Sequence, residues 1–386
     1  MAERTIIIGG GIAGAAAAYW LAQDPATHGE VILLEGAARL GAHSSGRSAA
    51  IHRPAVSDPV TRALALETLE WLETRSQEVS ERALLDAVGL VIDEGASLDA
   101  PRAPWADELE ASGVARRLSA EERAALVPYS RPSGARTWLL PRAGRVAAHA
   151  LVQGLTRRAE RNGAQIETTR QVRGVTHDLG RVTGVELADG TRMSADTVVL
   201  AAGAWSRQLG AEAGCALPLA ASTRHLFVIG RPSEFDERAP IVWDDHLGFY
   251  ARAYDGGLLV SPCDQDPAVP DQVAPRYLVS NAARDKATQL VARALPSDDP
   301  SATAIDRGWC GLRDQTPDDR PVLGPDPRLA GLAWCAGFGG HGFTVGVAAG
   351  RALANALAGR DTGLPGEVGA RRFDLAQETL EASAAT

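Results

Sequence analysis

Gly9, Gly11 and Gly14 stand at the spacing GxGxxG, and an acid, Glu35, follows 21 positions after the last of them. Together these residue types can hold an adenine dinucleotide. Gly9 permits a tight turn, Gly11 lets a pyrophosphate approach the backbone, and Gly14 lets a helix pack close to a strand. A helix starting there turns free N–H groups and a partial positive charge toward the phosphates. The Glu35 carboxylate can accept bonds from a ribose hydroxyl pair and would repel a 2′-phosphate. The competing reading is a glycine-rich turn in an unrelated α/β domain. Just beyond lie Gly41, Ser44, Ser45, Gly46, Arg47 and Ser48. They read equally well as a loop around a diphosphate and as an ordinary polar loop.

The elements that would position these residues are legible nearby. Thr5 to Ile8 is a β-branched run, as expected of a strand buried on both faces, and the helix-like AGAAAAYWLAQ follows the glycines. A second apolar run, Val31 to Leu34, ends at Glu35. From Asp58 the pattern turns helical, with Leu64, Leu66, Leu69, Trp71 and Leu72 on one face. The Pro-rich stretch 99–104 breaks that pattern. Ser119 followed by acids predicts an N-cap, and Pro128 an end. Further helices are predicted over 146–162, closed by Gly163, over 279–295 and over 345–358. Residues 165–194 read as a small antiparallel unit leading to a buried strand at 197–200 and the small-residue turn Ala201 to Trp205. RHLFVIG, PIVW, GFYARAY and GLLVSP read as strands of a mixed sheet, and the polar tail after Gly359 as loose.

The chain has 386 residues, which favours two interleaved domains, and 45% hydrophobic content suffices for a large core. A net charge of −9, from 39 basic and 48 acidic residues, disfavours nucleic acid as a partner, modified tRNA included. Cys215, Cys263, Cys310 and Cys335 fit no zinc or CxxC spacing and read as reduced thiols of a cytoplasmic protein; no metal is expected. The start MAERTIIIGGG has no signal-peptide pattern, and no apolar run is long enough to span a membrane.

The order GGGIAG, VILLE, SSGRS, VVLAAGAW, WCGLR and AGFGGHGF resembles the FAD-dependent D-amino-acid oxidase superfamily, in particular the branch with glycine oxidase, sarcosine oxidase and D-arginine dehydrogenase. The likeness runs from Thr5 to about Leu357. HSSGRSAA resembles a D-arginine dehydrogenase loop, and AGFGGHGF the C-terminal flavin loop of sarcosine oxidase. The resemblance implies FAD and not NAD. By matched position Gly9, Gly11, Gly14 and Glu35 hold the ADP half, while Ser45, Gly46, Arg47 and Ser48 lie along the diphosphate and flavin. Val172 touches adenine through its backbone, Ala202 and Gly203 line the site, and Gly339, Gly340, His341, Gly342 and Phe343 cap the flavin ring. Backbone N–H groups at a helix N-terminus there can stabilise negative charge on a reduced flavin.

The implied fold is α/β: a Rossmann-like FAD-binding domain (residues 1–52, 140–214 and 310–370) interleaved with an α+β, mixed-sheet substrate-binding domain (53–139 and 215–309), then a loose tail (371–386). The resemblance matches Arg313 to the family's carboxylate arginine, and Arg224 and Tyr250 to further carboxylate-site positions. A planar guanidinium fork suits a carboxylate; the bland alternative is a surface ion pair. The implied reaction is oxidation of the C–N bond of a D-amino acid or an N-substituted or glycine-type amine. Hydride passes from the α-carbon to flavin N5, and the imine hydrolyses to a 2-oxo acid. The expected partners are a small amino acid with a free carboxylate and, for the electrons, oxygen or another acceptor. The sequence sets no oligomeric state. This chain departs from D-arginine dehydrogenase where Ile51 and Val56 replace a histidine and a tyrosine; His52, one place away, is either a local substitute or merely packed. Gly311 stands where sarcosine oxidase links its flavin to a cysteine, with Cys310 one residue early, so noncovalent FAD is expected. His341 either holds the flavin carbonyl edge or fills the loop. Two alternatives remain: a 2-hydroxy-acid dehydrogenase with His52 or His341 as base, and a non-catalytic flavin-binding subunit of a larger amine dehydrogenase, against which the arginine set argues.

Overall fold

The structure, a computed structural model, describes residues 3–373 apart from residue 275. It begins with β1 (Arg4–Ile8), α1 (Ile12–Leu21) and β2 (Glu30–Leu34). β1 lies between β2 and the strand Thr197–Leu200, parallel to both, with Ile8 opposite Leu34 and Leu200. Gln165–Glu167 and Leu332–Ala336 extend this sheet in parallel, and Val322–Pro325 closes it antiparallel as the sixth strand. Successive side chains leave a strand on opposite faces. Ile7, Leu33, Val199 and Ala333 therefore pack among helices, whereas Ile6, Ile8, Ile32 and Val198 pack against Val175, Val182 and Val185 of a small antiparallel sheet. Burial on both faces explains the unbroken apolar runs in the sequence.

The alanines of α1 have a packing reason. A Cβ on Gly350 would lie 2.7 Å from Ala16 O, and one on Gly346 would lie 2.7 Å from Ile12 Cγ1. Small residues on both sides let α1 and the helix Gly342–Leu357 touch backbone to backbone. That contact fixes where the second helix begins, over the nucleotide turn.

A second, nine-stranded sheet carries the opposite wall. Its path runs Asp266–Pro267, Ala220–Ile229, Gly257–Ser261, Phe249–Tyr254, Ile241–Asp244, Leu90–Glu94, Arg136–Leu140, Arg116–Leu118, and Ile305–Gln315 pairs with Ala220–Ile229 off that path. In the antiparallel ladder between the last two named strands, Ser222 faces Arg313 and Arg224 faces Gly311. Period two then places Arg224 and Arg313 on one face, diagonal to each other across the ladder.

Several local expectations meet the structure with small differences. Asp58 caps Pro59–Thr74, and Ser119 with Glu122 forms a capping box on Ala120–Leu126. The helix expected over 146–162 is Ala148–Arg161, because Gly144–Val146 forms a strand with Ile51–His52 and Leu85–Asp86. Gln165–Glu167 belongs to the parallel sheet, not to the antiparallel unit, which comprises Val172–Asp178, Arg181–Leu187 and Arg192–Ser194. The expected domain boundary at 310 falls inside the continuous strand Ile305–Gln315. Residues 360–373 are not loose: Val368 and Ala370 are buried, Leu323 N–H donates to Val368 O at 2.8 Å, and Arg372 pairs with Asp318 at 2.8 Å. The rest of the expected tail, 374–386, lies outside the described residues. Among the described residues no helix is long and apolar enough to cross a membrane.

Candidate functional site

A cavity of about 1540 Å³ opens between the two sheets, with walls from both. Drug-sized ligands occupy roughly 300–1,000 Å³, so this space admits a dinucleotide together with a small molecule. The first sheet contributes Gly9, Gly11, Glu35, Ala202 and Gly203, joined by Val172; the second contributes Arg224, Tyr250, Gly311 and Arg313.

The nucleotide turn has the geometry that its residue types demand. Gly9 has φ +109°, and a Cβ there would lie 2.6 Å from Ala201 O. On Gly14 a Cβ would lie 1.9 Å from Gly9 O, so that glycine serves the packing of α1 on β1. On Gly11 a Cβ would meet only Ser45 Oγ, at 3.2 Å, which leaves the backbone open toward the cavity. Glu35 is buried and accepts from Gly10 N–H and Ala37 N–H, both at 2.7 Å. Two backbone donors aim this carboxylate and leave its further lone pairs for a ribose.

Ser45 Oγ accepts from Ile12 N–H at 3.0 Å, capping the N-terminus of α1. Ser48 Oγ donates to Ser45 O at 3.2 Å and accepts from Ala50 N–H at 3.2 Å. Gly46 does not line the cavity; a Cβ on it would lie 2.4 Å from Gly41 O, so its part is to fold the loop. Arg47 lines the cavity, and its guanidinium lies 3.7 Å from the Tyr277 ring centroid. Sequence reasoning missed Tyr277, which hydrogen-bonds His43, whose ring in turn lies 4.8 Å from that of Trp205. Tyr277 comes from a distant segment whose pattern gives no hint that it folds back over Arg47.

Gly339, Gly340, His341, Gly342 and Phe343 line the cavity at the start of the helix Gly342–Leu357, whose N-cap is His341. That helix begins earlier than expected, so Gly342 and Phe343 lie in its first turn. Arg313 is deep in the molecule but only half-buried, because its free surface faces the cavity. Burial, and then the Arg224 charge, pull its pKa down to about 10. Burial first and the neighbouring arginines next raise and lower, respectively, the Tyr250 hydroxyl, with a net shift upward. His341 is pushed down to about 3 by burial first, then by the fields of Arg53 and Arg313, so its ring is neutral.

His52 requires a correction. The two-residue strand Ile51–His52 turns Ile51 to the cavity and His52 away from it. His52 is fully buried with Nε2 3.1 Å from Ala65 O, and burial pushes its pKa down to about 4. Packing against Pro59–Thr74, and not catalysis, accounts for it. Cys310 likewise faces away: its Sγ donates to Leu278 O at 3.6 Å, while Gly311 lines the cavity.

Among the described residues, Nε of Arg47, Arg53 and Arg224 and Nδ1 of His341 are buried without a hydrogen-bond partner, and all four residues line this cavity. Unpaired polar atoms so placed are costly, and they match the phosphates, flavin edge and carboxylate that a flavoenzyme site must hold. The chain is 29% identical over 227 residues to mitochondrial sarcosine dehydrogenase of Mus musculus, covering 57% of this chain and 24% of that protein. It is 29% identical to 4-methylaminobutanoate oxidase (formaldehyde-forming) of Paenarthrobacter nicotinovorans, covering 91% of this chain and 43% of that one. The chain thus spans less than half the length of these two relatives. The solved structure of iminodiacetate oxidase from Chelativorans sp. BNC1 is 26% identical with a TM-score of 0.74, covering 94% and 97% of the two chains. Residues 4–356 match the FAD dependent oxidoreductase family DAO, and the chain belongs to that family of FAD-binding flavoproteins.

Proposed function

We propose that this protein oxidises the C–N bond of a small amino acid, a D-amino acid or an N-substituted or glycine-type amine, with noncovalently held FAD. The observation that carries the reading is the pair Arg224 and Arg313, on one face of the second sheet and facing the cavity beside Tyr250 and the glycine loop. Fork-shaped donors recognise a carboxylate bidentately. Gly9, Gly11, Glu35, Ser45 and Arg47 would hold the nucleotide half of FAD, and Gly339 to Phe343 its ring. When bound, FAD supplies the two-electron acceptor for a hydride leaving the substrate α-carbon. Arg224 and Arg313 fix the carboxylate, so the α-carbon is presented in one orientation. Tyr250, stacked on Trp243 at 4.6 Å, holds its hydroxyl beside them as a neutral donor. Neutral His341 can donate or accept a hydrogen bond, but with a pKa near 3 it is a weak base at pH 7. The amine therefore reacts in its own neutral form. That balance favours amine over hydroxyl oxidation, which requires a stronger base. The names of the relatives, with sarcosine, 4-methylaminobutanoate and iminodiacetate, point to secondary amines within this class.

The test is anaerobic mixing of the flavin-loaded protein with D-amino acids, N-methyl amino acids, glycine and 2-hydroxy acids while following the flavin band. Bleaching by an amine class is expected, and readmitted air then separates oxygen from another acceptor. Bleaching by hydroxy acids alone would overturn the reading. No bleaching by any of them would favour a non-catalytic subunit.

A further inference from the structure

Beside the carboxylate clamp stands a third arginine. Arg53 lines the cavity with its guanidinium 4.3 Å from the Trp243 ring centroid, and Trp243 stacks on Tyr250. Its NH2 group pairs with Asp245 at 3.1 Å, while its Nε is buried without a partner. The Trp243 indole N–H donates to the same Asp245 at 2.8 Å, so both aromatic and acid hold the guanidinium in place. Among the described residues neither Arg224 nor Arg313 has an acidic group within ion-pair distance. Asp314, next to Arg313 in sequence, turns its carboxylate to Gly337 N–H at 2.6 Å. Of the three guanidinium groups on this wall only that of Arg53 touches an acid, Asp245, while the buried Asp264, held by His225, acts on Arg224 and Arg313 through its field alone. A substrate with one carboxylate, held by Arg224 and Arg313, leaves the buried Arg53 Nε without an acceptor, which is costly in a partly desolvated site.

We propose that the substrate is an amine with two carboxylates, the first held by Arg224 and Arg313 and the second by Arg53 against the face of Trp243. The inference rests on the amine-oxidation reading and adds the substrate class. It makes Arg53 a specificity-determining residue. The same three arginines act together on His341 and on Cys263, each of which feels the field of all three, as side chains converging on one space must.

The experiment uses the FAD-loaded protein and two substrate pairs differing by one carboxylate: D-aspartate against D-alanine, and iminodiacetate against sarcosine. In at least one pair kcat/KM for the dicarboxylate is expected to exceed that of its partner ~10-fold or more, the scale of one charge-assisted bond. Arg53→Gln should collapse that ratio toward one through KM, and Arg53→Lys should restore part of it. A ratio near one in the wild type for both pairs, or a ratio that Arg53→Gln leaves untouched, overturns the proposal. A second measurement needs no turnover: titration of the oxidised protein with succinate and with propionate, read from the flavin spectrum. Succinate should bind ~10-fold tighter than propionate in the wild type, and Arg53→Gln should remove that preference. Equal affinities in the wild type, or a preference that Arg53→Gln leaves untouched, would sink the second-carboxylate pocket. Failure of every amine to bleach the flavin instead sinks the amine-oxidation reading, and the titration still decides the pocket.

Discussion

At the scale of single residues the site depends on where guanidinium groups are allowed to sit. Gly340 has φ +93°, and a Cβ there would lie 2.4 Å from Arg313 Cζ. A side chain at that position would be strained and would occupy the volume that Arg313 fills. Gly340→Ala is therefore expected to raise KM for carboxylate substrates about tenfold by displacing the guanidinium, whereas Arg313→Ala, which removes it, should raise KM by ~10–100-fold. Steady-state kinetics checks both, and a KM within twofold of wild type for Arg313→Ala removes that residue from the clamp. The pH profile is set at the same scale. His341 lies near 3 and Arg313 near 10, so neither changes charge between pH 5 and 8. Apart from a substrate-independent step near 6, where the cavity-lining Asp314 titrates, the rise of kcat/KM with pH should then follow the amine pKa of the substrate and shift when that pKa is changed. A rise above pH 7 that stays fixed between two substrates of different amine pKa contradicts a base-free deprotonation.

Elements decide which of these residues meet. The unit β1–α1–β2 was legible because its signals are local: a β-branched run, three glycines and an acid at the end of the next strand. The pairing of Arg224 with Arg313 was reached only through resemblance, because it arises from a ladder between strands distant in sequence, and no periodicity reports register. His52 was misplaced for a related reason. A one-residue difference reverses the face of a strand, and Ile51 takes the cavity side. The tail after Gly359 looked loose by composition, yet Val368 extends the hydrogen bonding of Leu323 at a sheet edge. The glycine loop is likewise tied down from the second sheet, by Asp314 to Gly337 N–H. Burial pushes the Asp314 carboxyl up to about 6 from 3.8. The folded protein holds that proton more tightly than the unfolded chain, so this contribution to stability is full below about pH 3.8 and is lost as pH rises through 6. Urea unfolding of the flavin-free protein should show that slope between pH 4 and 6. Asp314→Asn, uncharged throughout, should flatten it; an unchanged slope would place its origin elsewhere.

For the whole molecule, the cavity is the seam between two sheets, and its nucleotide side is crossed by contacts from both. Arg47 stacks on Tyr277, and its carbonyl accepts from the Trp309 indole N–H at 3.0 Å, while the loop it belongs to caps α1 through Ser45. A dinucleotide lying along Glu35, Ser45 and Arg47 therefore joins surfaces that otherwise meet around a large space. Ligand that binds only the folded state stabilises it in proportion to the logarithm of its excess over Kd, by about 2.7 kcal/mol at a hundredfold excess. With about 1.2 °C per kcal/mol for a chain of this size, FAD at that excess should raise Tm by ~3 °C over the flavin-free protein. Glu35→Ala loses the acceptor proposed for the ribose and also leaves Gly10 and Ala37 N–H unpaired, so both its loaded and flavin-free forms should melt below wild type. The informative quantity is the difference between the two forms at a fixed FAD concentration. If Glu35 holds the ribose, most of that difference is lost in Glu35→Ala. If the variant lowers both melting temperatures equally and keeps the full ~3 °C difference, Glu35 stabilises the turn alone and the ribose is held elsewhere.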